Sequence, residues 1–247
     1  MSSKPAAIII GVGEERGIGA VLSQRFASEG YYVYVAGRTS EKLDRVVRNI
    51  KLSGGHAEAV TVDVTCEDQI IALFQYAFSE KDTHKAPELV VFNVGNNRKI
   101  DFLKLTAHEI EAFWRTGCMA GFIIGREAVL RMLPLQRGTV LFTGASSSMR
   151  GKPGYAHFSA AKSGLRMLSQ SMAREFGPAG IHVAHVIIDG GINGEQMRMH
   201  APERMPATEK NKLLELEPIA DVFWFIHNQP PSAWTQEIDL RPSKELF

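Results

Sequence analysis

Only two cysteines, Cys66 and Cys118, occur in 247 residues, too few for a disulfide framework, and neither has a histidine or cysteine companion at metal-ligand spacing. Both read as reduced, buried thiols, and no His-Glu-x-x-His or other metal pattern occurs anywhere in the chain. An excess of one charge is also lacking. The 28 Lys and Arg against 27 Asp and Glu leave a net charge of +1, without a basic tail or stripe, so nucleic acid has no electrostatic footprint here. No uninterrupted apolar run reaches the roughly 18 residues of a membrane span. The segment Met1 to Pro5 enters a strand without the apolar core of a signal peptide, so the expected location is the cytoplasm, with no membrane partner. With 45% apolar and 22% charged residues and no linker, the chain reads as one ordinary globular domain over residues 1–247.

The most informative stretch is Ile8 to Gly19, an apolar strand running into a glycine-punctuated turn and then a helix. The pattern Gly13-x-x-x-Gly17-x-Gly19 suits a pyrophosphate. Gly13 is expected to take backbone angles closed to other residues, Gly17 to let the main chain approach the phosphates, and Gly19 to let the helix opening at Ile18 pack on the strand. The spacing is one residue longer than the fingerprint usually quoted. Its weight comes from position, because it follows the first strand of a chain that then alternates strands and helices.

Strand two, Tyr32 to Ala36, leads to Gly37-Arg38-Thr39. The residue at the end of such a strand meets the adenosine ribose; an acid there would bind the 2′-hydroxyl, but this chain has Arg38. Arg16 adds a second cation on the same side, and two guanidiniums suit a 2′-phosphate, so NADP (NADPH) is expected in preference to NAD. The plainer alternative makes both arginines solvated surface charges. A helix from Glu41 to Ser53 and a strand from Ala57 to Val62 then deliver Asp63-Val64. Asp63 either accepts a hydrogen bond from the adenine amino group or caps the helix starting near Glu67. Strand four, Leu89 to Phe92, ends in Asn93-Val94-Gly95, where a small turn can pass beside a cofactor. A long helix from about Thr106 to Leu133 is stopped by Pro134. The alternation predicts an α/β fold, a single Rossmann-like doubly wound domain with ligands beyond the carboxyl ends of the strands.

These motifs, with Phe158-Ser159-Ala160-Ala161-Lys162, Ile219-Ala220-Asp221 and a closing strand near Glu237 to Leu240, resemble the short-chain dehydrogenase/reductase family of the classical type over nearly the whole chain. The resemblance implies a mostly parallel seven-stranded sheet and a nicotinamide dinucleotide. It further implies hydride transfer to or from a carbonyl or alcohol of a small-molecule substrate, and assembly as a homodimer or homotetramer. It also implies a serine after strand five, a tyrosine and lysine in Tyr-x-x-x-Lys, and an asparagine in the long helix.

Here the catalytic pattern departs. With strand five at Gly138 to Thr143, a gapless match to Lys162 puts Ala145 at the serine and Phe158 at the tyrosine, and Asn-x-x-Gly becomes Cys118-Met119-Ala120-Gly121. Only Lys162 is kept, and it can still hold ribose hydroxyls. Phenylalanine has no titratable group and cannot give a proton to an alkoxide. Ser146 becomes the substrate-oxygen donor if the match slips by one residue. Tyr155, one helical turn before Phe158, is the candidate substitute acid or else lines the pocket, whereas His157 points about 100° away. Cys118 reads as a buried small hydrophobe. Beyond strand six, Ile181 to Ile188, the family's Pro-Gly turn becomes Ile188-Asp189-Gly190-Gly191, and Asn193 falls where a threonine would meet the carboxamide. A substrate lid is expected at about 190–216, with Met197, Met199 and Met205 either lining an apolar pocket or packing the lid. His182 and His185 read as core or interface residues, and Trp114, Trp224 and Trp234 as packing anchors. The expectation is an NADP-dependent oxidoreductase acting on an apolar substrate with an unconventional proton source. The alternative is a catalytically impaired NADP-binding sensor or partner subunit.

Overall fold

The structure, a computed structural model, describes residues 4–95, 97–200, 202–204 and 212–244; Met205 lies outside them. Seven strands form one sheet: β1 (Lys4–Ile10), β2 (Tyr32–Gly37), β3 (His56–Thr61), β4 (His84–Phe92), β5 (Gly138–Ala145), β6 (Ile181–Ile188) and β7 (Glu237–Leu240). Every pairing is parallel, and the order is β3-β2-β1-β4-β5-β6-β7. Helices α1 (Ile18–Ser28), α2 (Ser40–Leu52), α3 (Glu67–Ala77), α4 (Ala107–Trp114), α5 (Ala120–Met132), α6 (Ala156–Phe176), α7 (Glu195–His200) and α8 (Leu216–His227) supply the crossovers.

The central strands read as continuous apolar runs because both faces of the sheet are covered. Ala6 to Ile10 are all fully buried. Alternate residues serve opposite cores: Ile9, Val35, Val91, Leu141 and Val186 pack with α1, α2 and α8, whereas Ile8, Tyr34, Phe92, Phe142 and Val183 pack with α3, α5 and α6. Chain direction across the sheet reverses between β1 and β4, which pair along Ile8↔Val90 and Ile10↔Phe92. The crevice beyond the carboxyl ends of these two strands is the switch point at which such sheets bind ligands.

Beyond β4, which begins at His84 rather than Leu89, two elements differ from the sequence expectation. The long helix is interrupted by a π turn at Arg115–Met119, which separates α4 from α5. A Cβ on Gly117 in that turn would lie 3.0 Å from Ala161 Cβ, so the widened turn is pressed against α6. β5 continues to Ala145 because β6 keeps pairing with it, through Gly144↔Ile187 and Ala145↔Ile188. Among the described residues no helix is long and apolar enough to cross a membrane.

Candidate active site at the switch point

The glycine turn leaves β1 with its positive φ at Gly11 (+97°), not at Gly13. This corrects the sequence reading, and the cause is distant in sequence. A Cβ on Gly11 would lie 2.7 Å from the Asn93 carbonyl carbon and 2.8 Å from Val94 N, so the loops after β1 and β4 touch backbone to backbone. Gly13 instead faces open space, with no heavy atom within 4 Å of where a Cβ would stand. Gly17 is the extended N-cap of α1, and its Cβ position is 3.0 Å from Glu14 O. Gly19 performs the packing expected of it, since a Cβ there would meet Gly11 O and Val12 Cα at 2.9 Å. Ile18 opens α1, whose first turn has no side-chain cap and no acidic residue, leaving its amides and dipole open to an anion.

Charges around the turn are sorted by pairing. Lys42 Nζ lies 2.6 Å from Glu14, Arg45 Nε 3.0 Å from Glu15, and Asn49 Nδ2 donates to Glu15 at 2.7 Å. Arg16 and Arg38 are exposed, and neither has a carboxylate within ion-pair distance among the described residues. Asp63, after β3, does not cap α3, as one reading of the sequence had it. Its Oδ1 accepts from Thr65 N at 2.9 Å and Thr65 Oγ1 at 2.8 Å, and the N-cap of α3 is Cys66. Those bonds, with a smaller contribution from Arg38, hold the Asp63 carboxyl below its ordinary range. Val64 beside it is buried.

Lys162 bridges the ends of β4 and β5 beside the switch point. Asn93 at the end of β4 is fixed by its N–H to Ile10 O (2.8 Å) and its Nδ2 to Gly11 O (3.3 Å). The following Val94 carbonyl accepts from Lys162 Nζ at 3.1 Å, and Thr143 O on β5 accepts from it at 2.8 Å. A Cβ on Gly95 would lie 3.4 Å from Nζ, so the turn leaves the ammonium room. Burial without a carboxylate partner pushes the Lys162 ammonium down from 10.5 to about 8. The Phe158 ring, itself buried, has its centroid 5.9 Å from Nζ.

The remaining sequence candidates are not all gathered there. Tyr155 is the N-cap of α6 rather than part of it, and its carbonyl accepts from Ser159 N at 2.8 Å. Ser146 opens a 3₁₀ turn directly after Ala145, and its carbonyl accepts from Met149 N and Arg150 N. Cys118 is separated from Lys162: a Cβ on Gly164, two residues past the lysine and so across α6, would meet Sγ at 2.7 Å. Burial raises the Cys118 thiol above its ordinary value. This thiol and Trp114, Phe122, Met167 and Leu168 line an apolar groove of about 410 Å³ on α4 to α6. His157 is fully buried against Phe113, with ring centroids 4.2 Å apart.

The segment after β6 docks onto the glycine turn: Glu195 N donates to Arg16 O at 2.8 Å, and a Cβ on Gly194 would lie 2.8 Å from the same oxygen. Asn193 N donates to Leu214 O, while its side-chain amide is engaged by Glu215 at 2.9 and 3.0 Å and by Arg198 at 3.2 Å. A buried ion cluster that the sequence reading did not identify stands nearby. Arg150 Nη2 donates to both Asp189 oxygens at 2.7 and 2.9 Å, and Arg241 approaches the same carboxylate at 3.1 Å. Asp189 is 1% exposed, and its place in the altered Pro-Gly turn was the one available signal.

Comparison with known proteins agrees with this geometry. The family model described as short chain dehydrogenase matches residues 6–205. Gluconate 5-dehydrogenase of Gluconobacter oxydans is 26% identical over 92% of this chain and 82% of its own length. A 3-oxoacyl-(acyl-carrier-protein) reductase of Staphylococcus aureus is 30% identical over 69% of each chain. A short-chain dehydrogenase structure from Rhodopseudomonas palustris covers 96% of this chain and 98% of its own at 37% identity, with a TM-score of 0.80. A metagenomic short-chain oxidoreductase solved with NADP shares the fold at a TM-score of 0.81 and 24% identity, each chain covered to 98%. From β1 through the segment that docks on Arg16, this chain belongs to the short-chain dehydrogenase family of oxidoreductases.

Proposed function

We propose that the protein is an NADP-dependent oxidoreductase acting on a carbonyl, alcohol or activated double bond of a small apolar molecule, with a proton source other than residue 158. The observation that carries the reading is the pair of exposed guanidiniums, Arg16 and Arg38, without carboxylate partners among the described residues while Lys42 and Arg45 are paired to Glu14 and Glu15. The cradle also fits a dinucleotide: Gly13 faces open space, α1 begins uncapped, and Gly95 leaves room above the Lys162 ammonium. In this reading Gly13, Gly17, Ile18 and Gly19 hold the pyrophosphate, and Arg16 and Arg38 the 2′-phosphate. Asp63 and Val64 flank the adenine, Asn93 and Gly95 shape the floor, and Lys162 holds the nicotinamide ribose. Asn193 meets the carboxamide after giving up Glu215 or Arg198. The cofactor, when bound, supplies or accepts the hydride.

Phe158 excludes water beside Lys162 but moves no proton, and a missing general acid costs about 10²- to 10⁴-fold in rate. Tyr155 and Ser146, on the segments flanking the β5 end, are the side chains left to hold a substrate oxygen or supply the proton. A second copy of the chain is the partner this reading expects, covering the apolar groove that includes Phe122 and Met167, which are 42% and 51% exposed. A panel of carbonyls and alcohols, opened with 3-oxoacyl compounds read by NADPH oxidation and with gluconate read by NADP reduction, after the two relatives, tests the reading. Turnover in the wild type that Tyr155→Phe abolishes supports Tyr155 as the acid. The second reading, an NADP-binding sensor or partner subunit, draws on Lys162 having two carbonyls and, among the described residues, no hydroxyl as hydrogen-bond partners. It prevails if the wild type binds NADPH without turnover while Phe158→Tyr gains activity.

A further inference from the structure

Behind Lys162, on the sheet face covered by α6, β6 carries His185 between Val183 and Ile187. The imidazole is fully buried and occupies the room that glycine leaves at 144: a Cβ there would come within 2.4 Å of Cε1 and 2.5 Å of Nε2. Gly144 follows Thr143, whose carbonyl is the Lys162 acceptor at 2.8 Å. At the other edge of the ring, Nδ1 lies 3.2 Å from Glu237 Oε2 on β7. Glu237 in turn accepts two parallel bonds of 2.7 Å from Arg166 Nε and Nη2. Arg166 stands one turn after Lys162 on α6. The Glu237 approach is the polar contact of Nδ1, and Nε2 has no hydrogen-bond partner among the described residues.

We propose that His185 and Glu237 are positioning residues for Lys162, a polar pair reaching from β7 to a ring packed on Gly144, next to the Thr143 carbonyl that the lysine bonds, and that this pair sets how firmly the lysine holds its proton. The proposal rests on the reading that Lys162 holds the cofactor ribose, and gives it a control from between α6 and the sheet where Phe158 offers none from the pocket. The charges facing the group are Lys162 and Arg166 from α6, His185 from β6 and Glu237 from β7. Glu237 offsets Arg166. A proton on His185 would set a second cation against Lys162, so the neutral imidazole lets the lysine stay charged. Burial holds His185 below its ordinary range, and the Lys162 cation adds to that effect.

The test is titration of the cofactor-free protein, so that it stands apart from whether NADPH binds. Selectively ¹³Cε-labelled lysine, with the Lys162 signal assigned by its loss in Lys162→Met, reads the lysine midpoint. Ring-labelled histidine, assigned through His185→Gln, reads the imidazole. In Glu237→Gln the Lys162 midpoint is expected to fall, because Arg166 loses its counter-charge. In Lys162→Met, which leaves the other three groups in place, the His185 midpoint is expected to rise. A Lys162 midpoint unchanged in folded Glu237→Gln overturns the proposal. Should that variant fail to fold, an unchanged His185 midpoint in Lys162→Met overturns it instead, since a purely structural clamp would move neither.

Discussion

Replacing Lys162 with methionine should change how stability responds to pH, and the structure sets the size of the change. The ammonium is buried without a carboxylate, and its value in the fold, about 8, lies below the ordinary 10.5. Below pH 8 both folded and unfolded chains carry this proton, so the desolvation cost is present in full. Between about 8 and 10.5 the unfolded chain binds the proton and the folded chain does not, so stability rises with pH across that window. A displacement of about 2.5 units at 1.36 kcal/mol per unit gives roughly 3 kcal/mol. Methionine removes this dependence together with the bonds to Val94 O and Thr143 O, and the loss of those bonds is the same at every pH. Other titrating groups cancel when wild type and variant are compared at each pH. Thermal melts of the cofactor-free proteins from pH 7 to 10.5 should therefore show the difference moving in favour of wild type by about 6–12 °C, using about 2–4 °C per kcal/mol for a chain of this size. A difference that stays flat across the window would refute the argument that Lys162 is buried without compensation.

Two further outcomes follow from packing and pairing. Gly19→Val should destabilise the protein by about 1–3 kcal/mol, because the new Cβ would meet the Gly11 and Val12 backbones at 2.9 Å, and chemical denaturation should show it. The same variant should weaken NADPH binding by moving the start of α1. Asp189→Asn removes the one charge that Arg150 and Arg241 share inside the fold. The arginine side chains are 35% and 27% exposed and can rehydrate, and Arg241 keeps Asp239, so the loss should be about 2 kcal/mol, seen as a lower melting temperature.

Much of the fold was legible because its signals are local. Ala6 to Ile10 and Leu89 to Phe92 are apolar runs that only a strand buried on both faces explains, and amphipathic stretches such as Ile18 to Ala27 lie between such runs. Gly19 was read correctly for the same reason, since it packs against residues only eight and seven positions earlier. Features that depend on distant partners were not legible. The positive φ belongs to Gly11 because the loop of Asn93 comes against it from across the switch point. Asp63 is the local exception: two donors of Thr65, only two residues on, occupy its carboxylate in place of the start of α3. The interruption at Arg115–Met119 answers to Ala161 on another helix. The Arg150-Asp189-Arg241 and Arg166-Glu237-His185 groups each join three separate stretches, which no spacing rule connects.

The central claim is that the exposed cations of the first two strand ends are kept for a 2′-phosphate, and paired fluorescence titrations with NADPH and NADH test it most directly. Wild type should bind NADPH more tightly, and Arg16→Ala and Arg38→Ala should each weaken NADPH by roughly 10- to 150-fold, the equivalent of about 1.5–3 kcal/mol per charge-assisted contact, while leaving NADH nearly unchanged. Equal affinity of the wild type for the two dinucleotides, or equal losses for both in the variants, would contradict it.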